Sequence, residues 1–245
     1  IPCSVIKLKP FYCFILLQNN KMSTRKNRSR IMVFDVETSG LLPKDITDVP
    51  LEQLPYILQL SFVIFETNGW RVTKEANHYV KVSESVEIVS KITELTGITR
   101  EMCNKGTPIQ EVLNEFCAEY MNCDMIVAHN IHFDRRMIKL ELQRNKDWMD
   151  PLYVNNTFNM EYEKQCDKIN YCTMYGSRNL CKIERKNDKG ETYFKAPKLS
   201  ELYEHLFHTE PQNLHNSLVD TYICLRCLVK MRFKFDLKIP LHRFM

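Results

Sequence analysis

The chain has 245 residues, 44% of them hydrophobic, and a formal net charge of only +4. That is enough for one globular domain with a sizeable core, and the weak basicity permits a polyanionic partner without requiring one. Ten cysteines without a clear secretory signal read as reduced, mostly buried thiols, which excludes a disulfide-built secreted module and predicts an intracellular protein, cytoplasmic or nuclear.

Residues 1–30 read as an N-terminal extension, expected to be disordered, ahead of a domain over 31–245. Met22 opens the basic stretch MSTRKNRSR directly before the first strand-like segment, so residues 1–21 are expected to be a leader upstream of a natural start. The apolar run Phe11–Leu17 resembles a signal-peptide core, but no small-residue cleavage site follows it. It is also far short of the ~20 residues a membrane helix needs, and no membrane association is expected. Lys21, Arg25, Lys26, Arg28 and Arg30 read as a solvated tail, with phosphate contact or a localisation signal as the alternative.

Ile31–Val36 is predicted as a buried strand bounded by Thr38, Ser39 and Gly40. Tyr56–Glu66 and Asn77–Val82 follow as strands, with Gly69 at the hairpin turn between them. Helical patterns cover Ile88–Leu95, Ile109–Tyr120 and Ile131–Arg144, and the short apolar run Met125–Ala128 has the character of a central parallel strand. Ile169–Met174 is predicted as a further strand, and Leu199–Phe207 and Ser217–Arg232 as the last helices. Between them, residues 181–197 read as a basic insertion-like loop with a polar turn at Asn187–Gly190. Meander-like strands followed by strand–helix alternation predict an α/β fold, a mixed sheet flanked by helices.

Three segments carry the chemistry. Asp35 and Glu37, two apart in an extended strand, project from one face, and two carboxylates there repel each other unless a cation compensates. Hard oxygen ligands select hard cations, hence Mg²⁺ or Mn²⁺. Asp134 lies near a helix start, where taken alone it reads as a dipole-favoured terminus residue rather than a ligand. His215 and Asp220 are five apart at a loop-to-helix junction, a spacing that lets a loop histidine serve a carboxylate site. His129 reads as structural, and the Cys224/Cys227 pair, inside a helix with no second pair at zinc-site spacing, does not read as a zinc site.

In that order, Phe34 to Leu41 (FDVETSGL), His129 to Asp134 (HNIHFD) and His215 to Asp220 (HNSLVD) resemble the DEDDh, DnaQ-like 3′–5′ exonuclease family, typified by the proofreading subunit of bacterial DNA polymerase III. Leu95 to Thr99 (LTGIT) adds to the likeness, which covers Ile31 to about Met231. The resemblance implies an RNase H-like fold with a five-stranded mixed sheet between helices. It implies two divalent ions, Mg²⁺ or Mn²⁺, held by Asp35, Glu37, Asp134 and Asp220, with His215 as general base on the attacking water. It further implies that Thr38, Gly40, Leu41, Asn130 and Phe133 meet the substrate. The implied activity is release of nucleoside 5′-monophosphates from 3′ ends of DNA. The implied partners are single-stranded 3′ ends of DNA or RNA and, among proteins, a DNA polymerase; the oligomeric state is left open. Two alternatives stand beside it: an exoribonuclease of the oligoribonuclease or RNase T kind, and a non-catalytic nucleic-acid-binding or polymerase-docking module.

Overall fold

The computed structural model describes residues 29–239; the readings made for the chain before Ser29 lie outside them. Six strands form one mixed sheet: β1 (Arg30–Thr38), β2 (Ile57–Glu66), β3 (Arg71–Lys81), β4 (Thr107–Pro108), β5 (Met125–Ala128) and β6 (Ile169–Cys172), in the order β4-β3-β2-β1-β5-β6. β1 lies inside it, antiparallel to β2 on one side and parallel to β5 on the other. The helices are α1 (Ser90–Thr96), α2 (Arg100–Asn104), α3 (Ile109–Met121), α4 (Ile131–Arg144), α5 (Pro151–Asn156), α6 (Met160–Gln165), α7 (Thr173–Gly176), α8 (Arg178–Cys181), α9 (Leu199–Phe207) and α10 (Ser217–Phe233). Between α8 and α9 stands a separate hairpin, β7 (Glu184–Lys186) with β8 (Thr192–Phe194).

The period-two alternation of β1 divides the core. Met32, Phe34 and Val36 pack with Val112, Phe116 and Tyr120 of α3 and Ile131, Met137 and Ile138 of α4. Ile31 and Val33 face the other way, onto Leu218, Leu225, Leu228 and Val229 of α10. Each such side chain contributes about 1.5–3 kcal/mol by leaving water. α10 is buried nearly all round because its far side, at Val219, Ile223 and Cys227, packs on Leu202 and Tyr203 of α9. Among the described residues no helix is long and apolar enough to cross a membrane, and all eight cysteines are free thiols.

Five details correct the sequence reading. Arg30, read as part of a solvated tail, opens β1 opposite Glu66 and pairs with Glu119 at 2.9 Å. The sheet has six strands rather than five, because two residues, Thr107 and Pro108, pair in parallel with Val80 and Lys81. Gly106 allows it: a Cβ there would lie 2.6 Å from the Tyr79 carbonyl oxygen. The third strand starts at Arg71 rather than Asn77, since the hairpin turning at Gly69 (φ +96) continues the ladder from Glu66 opposite Arg71. β6 ends at Cys172, where Thr173 opens α7 and turns its hydroxyl to the Ala128 carbonyl at 3.4 Å. Finally, residues 181–197 form the β7–β8 hairpin about the turn at Asn187–Gly190 rather than a plain loop.

Candidate active site

On the α10 face of β1, the apolar positions Ile31 and Val33 give way to Asp35 and Glu37. β5 pairs with β1 only as far as Val33 opposite Val127 and then leaves the sheet into α4. Beyond that point the two strands part, a topological switch point at the carboxyl ends of the strands where open α/β sheets bind ligands. Asp134, 2% exposed in the first turn of α4, fills the gap and accepts the freed N–H of Val36 at 3.3 Å. Asp220 arrives from the opposite face, in the first turn of α10. Two helices on opposite faces thus bring their aspartates to one end of β1.

The α10 end of this arrangement is fixed by a polar stripe crossing three strands. Gln59 lies opposite Glu37 and Ser61 opposite Asp35 in β2, with Asn77 of β3 opposite Ser61. Gln59 donates to Asn77 Oδ1 at 2.8 Å and accepts the N–H of Ser217 at 3.2 Å, while Ser61 and Ser217 share a hydroxyl–hydroxyl bond of 2.6 Å. The Asn216 side chain caps the helix, accepting from the N–H groups of Leu218 and Val219. The sequence reading passed over Gln59, Ser61, Asn77, Asn216 and Ser217. The signal was there: two polar residues two apart in the otherwise apolar Ile57–Phe65.

His215 precedes this cap in a left-handed backbone conformation (φ 67), and its N–H donates to Asp220 Oδ2 at 3.1 Å. The other carboxylate oxygen, Asp220 Oδ1, is buried with no hydrogen-bond partner. Ligand atoms of Glu37, His215 and Asp220 all lie within 4.8 Å of one another, close enough to share one cation.

The electrostatics are those of a charge cluster waiting for a counterion. Burial, and then the charges of Asp134, Asp220 and Glu37, push the Asp35 carboxyl well above the usual carboxylate range. Burial, then Asp220 and Asp134, push Glu37 up to about 8. Asp134 is pushed up to about 8 by burial, against the bond from Val36 N–H, and Asp220 to about 7 by burial, against the bond from His215 N–H. Four acids whose proton affinity is raised by burial, and in three of them by neighbouring charge, with one oxygen left unpaired, fit a divalent cation.

The remaining predicted residues surround this end of the sheet. Thr38 is buried and its hydroxyl donates to the Gly40 carbonyl at 2.7 Å, so its side chain organises the turn after β1. A Cβ on Gly40 would meet only Pro55, at 3.9 Å, so the fold itself does not require glycine there. Leu41 stands 85% exposed, whereas Phe133 is half-buried against the core. Asn130 (φ 74) ends the link from β5 and caps α4 through its carbonyl, which accepts the N–H of Phe133 at 2.9 Å. Arg144 secures the segment carrying Gly40 and Leu41: it donates to the carbonyls of Leu51, Leu54 and Pro55 and pairs with buried Glu141 at 2.7 Å. His129 is structural, as expected, bonded to Thr173 Oγ1 at 2.9 Å and to the Pro197 carbonyl at 3.1 Å, and burial lowers its pKa to about 4.

The sequence pattern of the exonuclease family named for RNase T matches residues 32–228, which include all five of these acidic and histidine positions. The chain belongs to that family. It is a domain of the 3′–5′ exonuclease type. A similar segment occurs in the PolC-type DNA polymerase III of Thermotoga maritima, 34% identical over 122 residues (49% of this chain, 8% of that protein). Another lies in the 3′–5′ exonuclease DinG of Bacillus subtilis, 33% identical over 118 residues (48% of this chain, 11% of that protein). The chain therefore matches only about a tenth of the length of these relatives. Exonuclease I of E. coli, solved in complex with a dT13 oligonucleotide, shares the fold: the TM-score is 0.60 at 19% identity over 84% of this chain and 42% of that one.

Proposed function

We propose that this domain hydrolyses phosphodiester bonds one nucleotide at a time from 3′ ends of DNA, releasing nucleoside 5′-monophosphates. The observation that carries the reading is the convergence of Asp35, Glu37, Asp134 and Asp220 at one end of β1, with their protons held abnormally tightly and Asp220 Oδ1 unpaired. Asp35, Glu37 and Asp220 would hold one divalent ion, and Asp35 with Asp134 a second, Mg²⁺ or Mn²⁺ by the hardness of the donors. When bound, such a pair supplies positive charge for the attacking and leaving oxygens of an in-line displacement.

The chain's own residues do the rest. His215, exposed beside the carboxylates, takes the proton of the attacking water at a ring nitrogen. Its backbone bond to Asp220 keeps base and carboxylate in register. Exposed Leu41 is positioned to wedge against the terminal base, and Asn130 and Phe133 to line the pocket beside it. Thr38 and Gly40 hold the turn whose backbone meets the terminal nucleotide. The single-stranded DNA named with Exonuclease I of E. coli supports a single-stranded 3′ end as substrate, and the PolC-type relatives support a polymerase as partner.

Matched 3′-labelled DNA and RNA oligonucleotides, incubated with Mg²⁺ and wild-type or Asp35→Ala protein, test this. Release of labelled 5′-monophosphate from DNA by the wild type alone is expected. Equal release by both proteins would sink the catalytic assignment, and release only from RNA would move the substrate to RNA. A His215→Ala variant is expected to lose about 10²–10⁴-fold in rate at neutral pH, the usual contribution of a general base.

A further inference from the structure

Exposed basic and aromatic side chains stand on α4, α7, α8 and the β7–β8 hairpin. His132 lies two residues before Asp134, in the first turn of α4, and its ring meets exposed Tyr175 edge-on, with centroids 5.8 Å apart. Exposed Arg136 follows one helical turn later on the same side. The Arg178 guanidinium lies over the Tyr175 ring, 5.7 Å from its centroid. α8, which begins with Arg178, runs into the β7–β8 hairpin, where Arg185 and Tyr193 are direct cross-strand partners and both exposed.

The hairpin is rooted on α9, on α10 and on the link that leads into α4. Its base is closed by Lys195 N–H to the Ile183 carbonyl at 2.9 Å and by the Lys195–Glu201 ion pair at 2.5 Å. Pro197, just after it, accepts from His129, the neighbour of the α4 cap Asn130. Cys181, just before it, packs with Val219 and Ile223, which bracket Asp220 in α10.

The hairpin's acidic residues leave the arginine face open. Glu184 lies on the face opposite Arg185, Glu191 is engaged by Asn187 at 2.7 Å, and Asp188 sits in the tip turn. Among the described residues no carboxylate pairs with Arg136, Arg178 or Arg185. A hairpin that only had to be soluble has no use for a tyrosine 49% exposed beside an unpaired arginine, nor α7 for a second at 49%. Unpaired cations interleaved with exposed rings are the combination that grips a single strand, phosphates on the charges and bases on the rings.

We propose that this surface, from His132 and Tyr175 through Arg178 to the Arg185–Tyr193 pair, is a track for the nucleic-acid strand upstream of the 3′ end being cut. The proposal rests on the exonuclease reading only for the direction of the strand. Two substrates separate the two ideas: a fluorescent dT oligonucleotide of about fifteen nucleotides, and the p-nitrophenyl ester of thymidine 5′-monophosphate, which has no upstream strand. In the triple variant Arg136→Gln, Arg178→Gln, Arg185→Gln, the KM for the oligonucleotide is expected to rise about tenfold or more with kcat and ester turnover unchanged. Oligonucleotide binding, followed by fluorescence anisotropy in EDTA, is expected to lose about 2 from its log–log salt slope, at ~0.7 per phosphate contact on a single strand. A Tyr175→Ala, Tyr193→Ala variant is expected to weaken binding without changing that slope. Unchanged KM, affinity and slope in the charge variant would overturn the track while leaving the exonuclease reading intact. Wild-type protein that cuts neither substrate would end the exonuclease reading, and the anisotropy measurement would still decide the track.

Discussion

Asp220 combines two demands at the scale of one side chain. One oxygen accepts the N–H of His215, while the other is buried with nothing to accept from, among three more carboxyls whose charges oppose one another. Asp220→Asn preserves the shape and the acceptor but removes a charge and supplies a donor to the neighbouring carboxylates. In EDTA at pH 8 the variant is expected to be more stable, on the order of 1 kcal/mol or about 2–4 °C in Tm for a chain of this size. Activity is expected to fall by about 10³-fold or more, since a metal ligand carries several kcal/mol of transition-state stabilisation. The rise in Tm that Mg²⁺ gives the wild type should shrink as well. A variant less stable than wild type in EDTA would mean that the carboxylate charges do not strain the fold. Asp35 and Glu37 were legible from their shared face of an apolar strand, whereas Asp134, His215 and Asp220 took their roles only from the ordered resemblance of the three segments. The unpaired oxygen of Asp220 was not legible, since its surroundings are supplied by residues far along the chain.

At the scale of elements, the site depends on how α10 is seated on the sheet. Gln59 receives the N–H of Ser217 and donates to Asn77, so it ties the start of α10 to β2 and β3 at once. Gln59→Met keeps the volume and leaves a buried N–H without its acceptor, a cost of about 1–3 kcal/mol. Chemical denaturation is expected to show that loss, accompanied by a drop in kcat larger than any change in KM, because His215 and Asp220 move with the helix start. Full stability in the variant would show that water or a neighbour replaces the amide. The apolar runs of β1, β2 and β5 and the helical patterns of α3, α4, α9 and α10 were readable to within a residue or two. β4, the early half of β3 and the β7–β8 hairpin were not, for one physical reason: their pairing is imposed by a neighbour's register or a close backbone approach at Gly106, and their own side chains alternate weakly.

At the scale of the whole molecule, the fold exists in tension with its site, and pH reports that tension. A carboxyl that holds its proton to about 8 in the folded chain, as Glu37 and Asp134 do, or to about 7, as Asp220 does, releases it near 4 when unfolded. The folded state therefore binds more protons across that interval, so these groups favour folding at low pH and withdraw that support as pH rises toward 8. His129 works in the opposite sense. Its pKa is lowered to about 4 from 6.5, so its contribution is complete above pH 6.5 and is lost only in acid. The two effects separate above pH 6.5 and up to about 8, where His129 is losing its charge in the unfolded chain as well, while Glu37, Asp134 and Asp220 still release protons in the folded one. In EDTA, Tm is expected to fall across that window. Mg²⁺ should reverse most of the fall at pH 8 and do little at pH 5.5, where protons hold the same oxygens. A Tm that stays level from pH 6.5 to 8 in EDTA would mean that the four carboxyls do not share one desolvated site, and the cation reading would lose its physical basis.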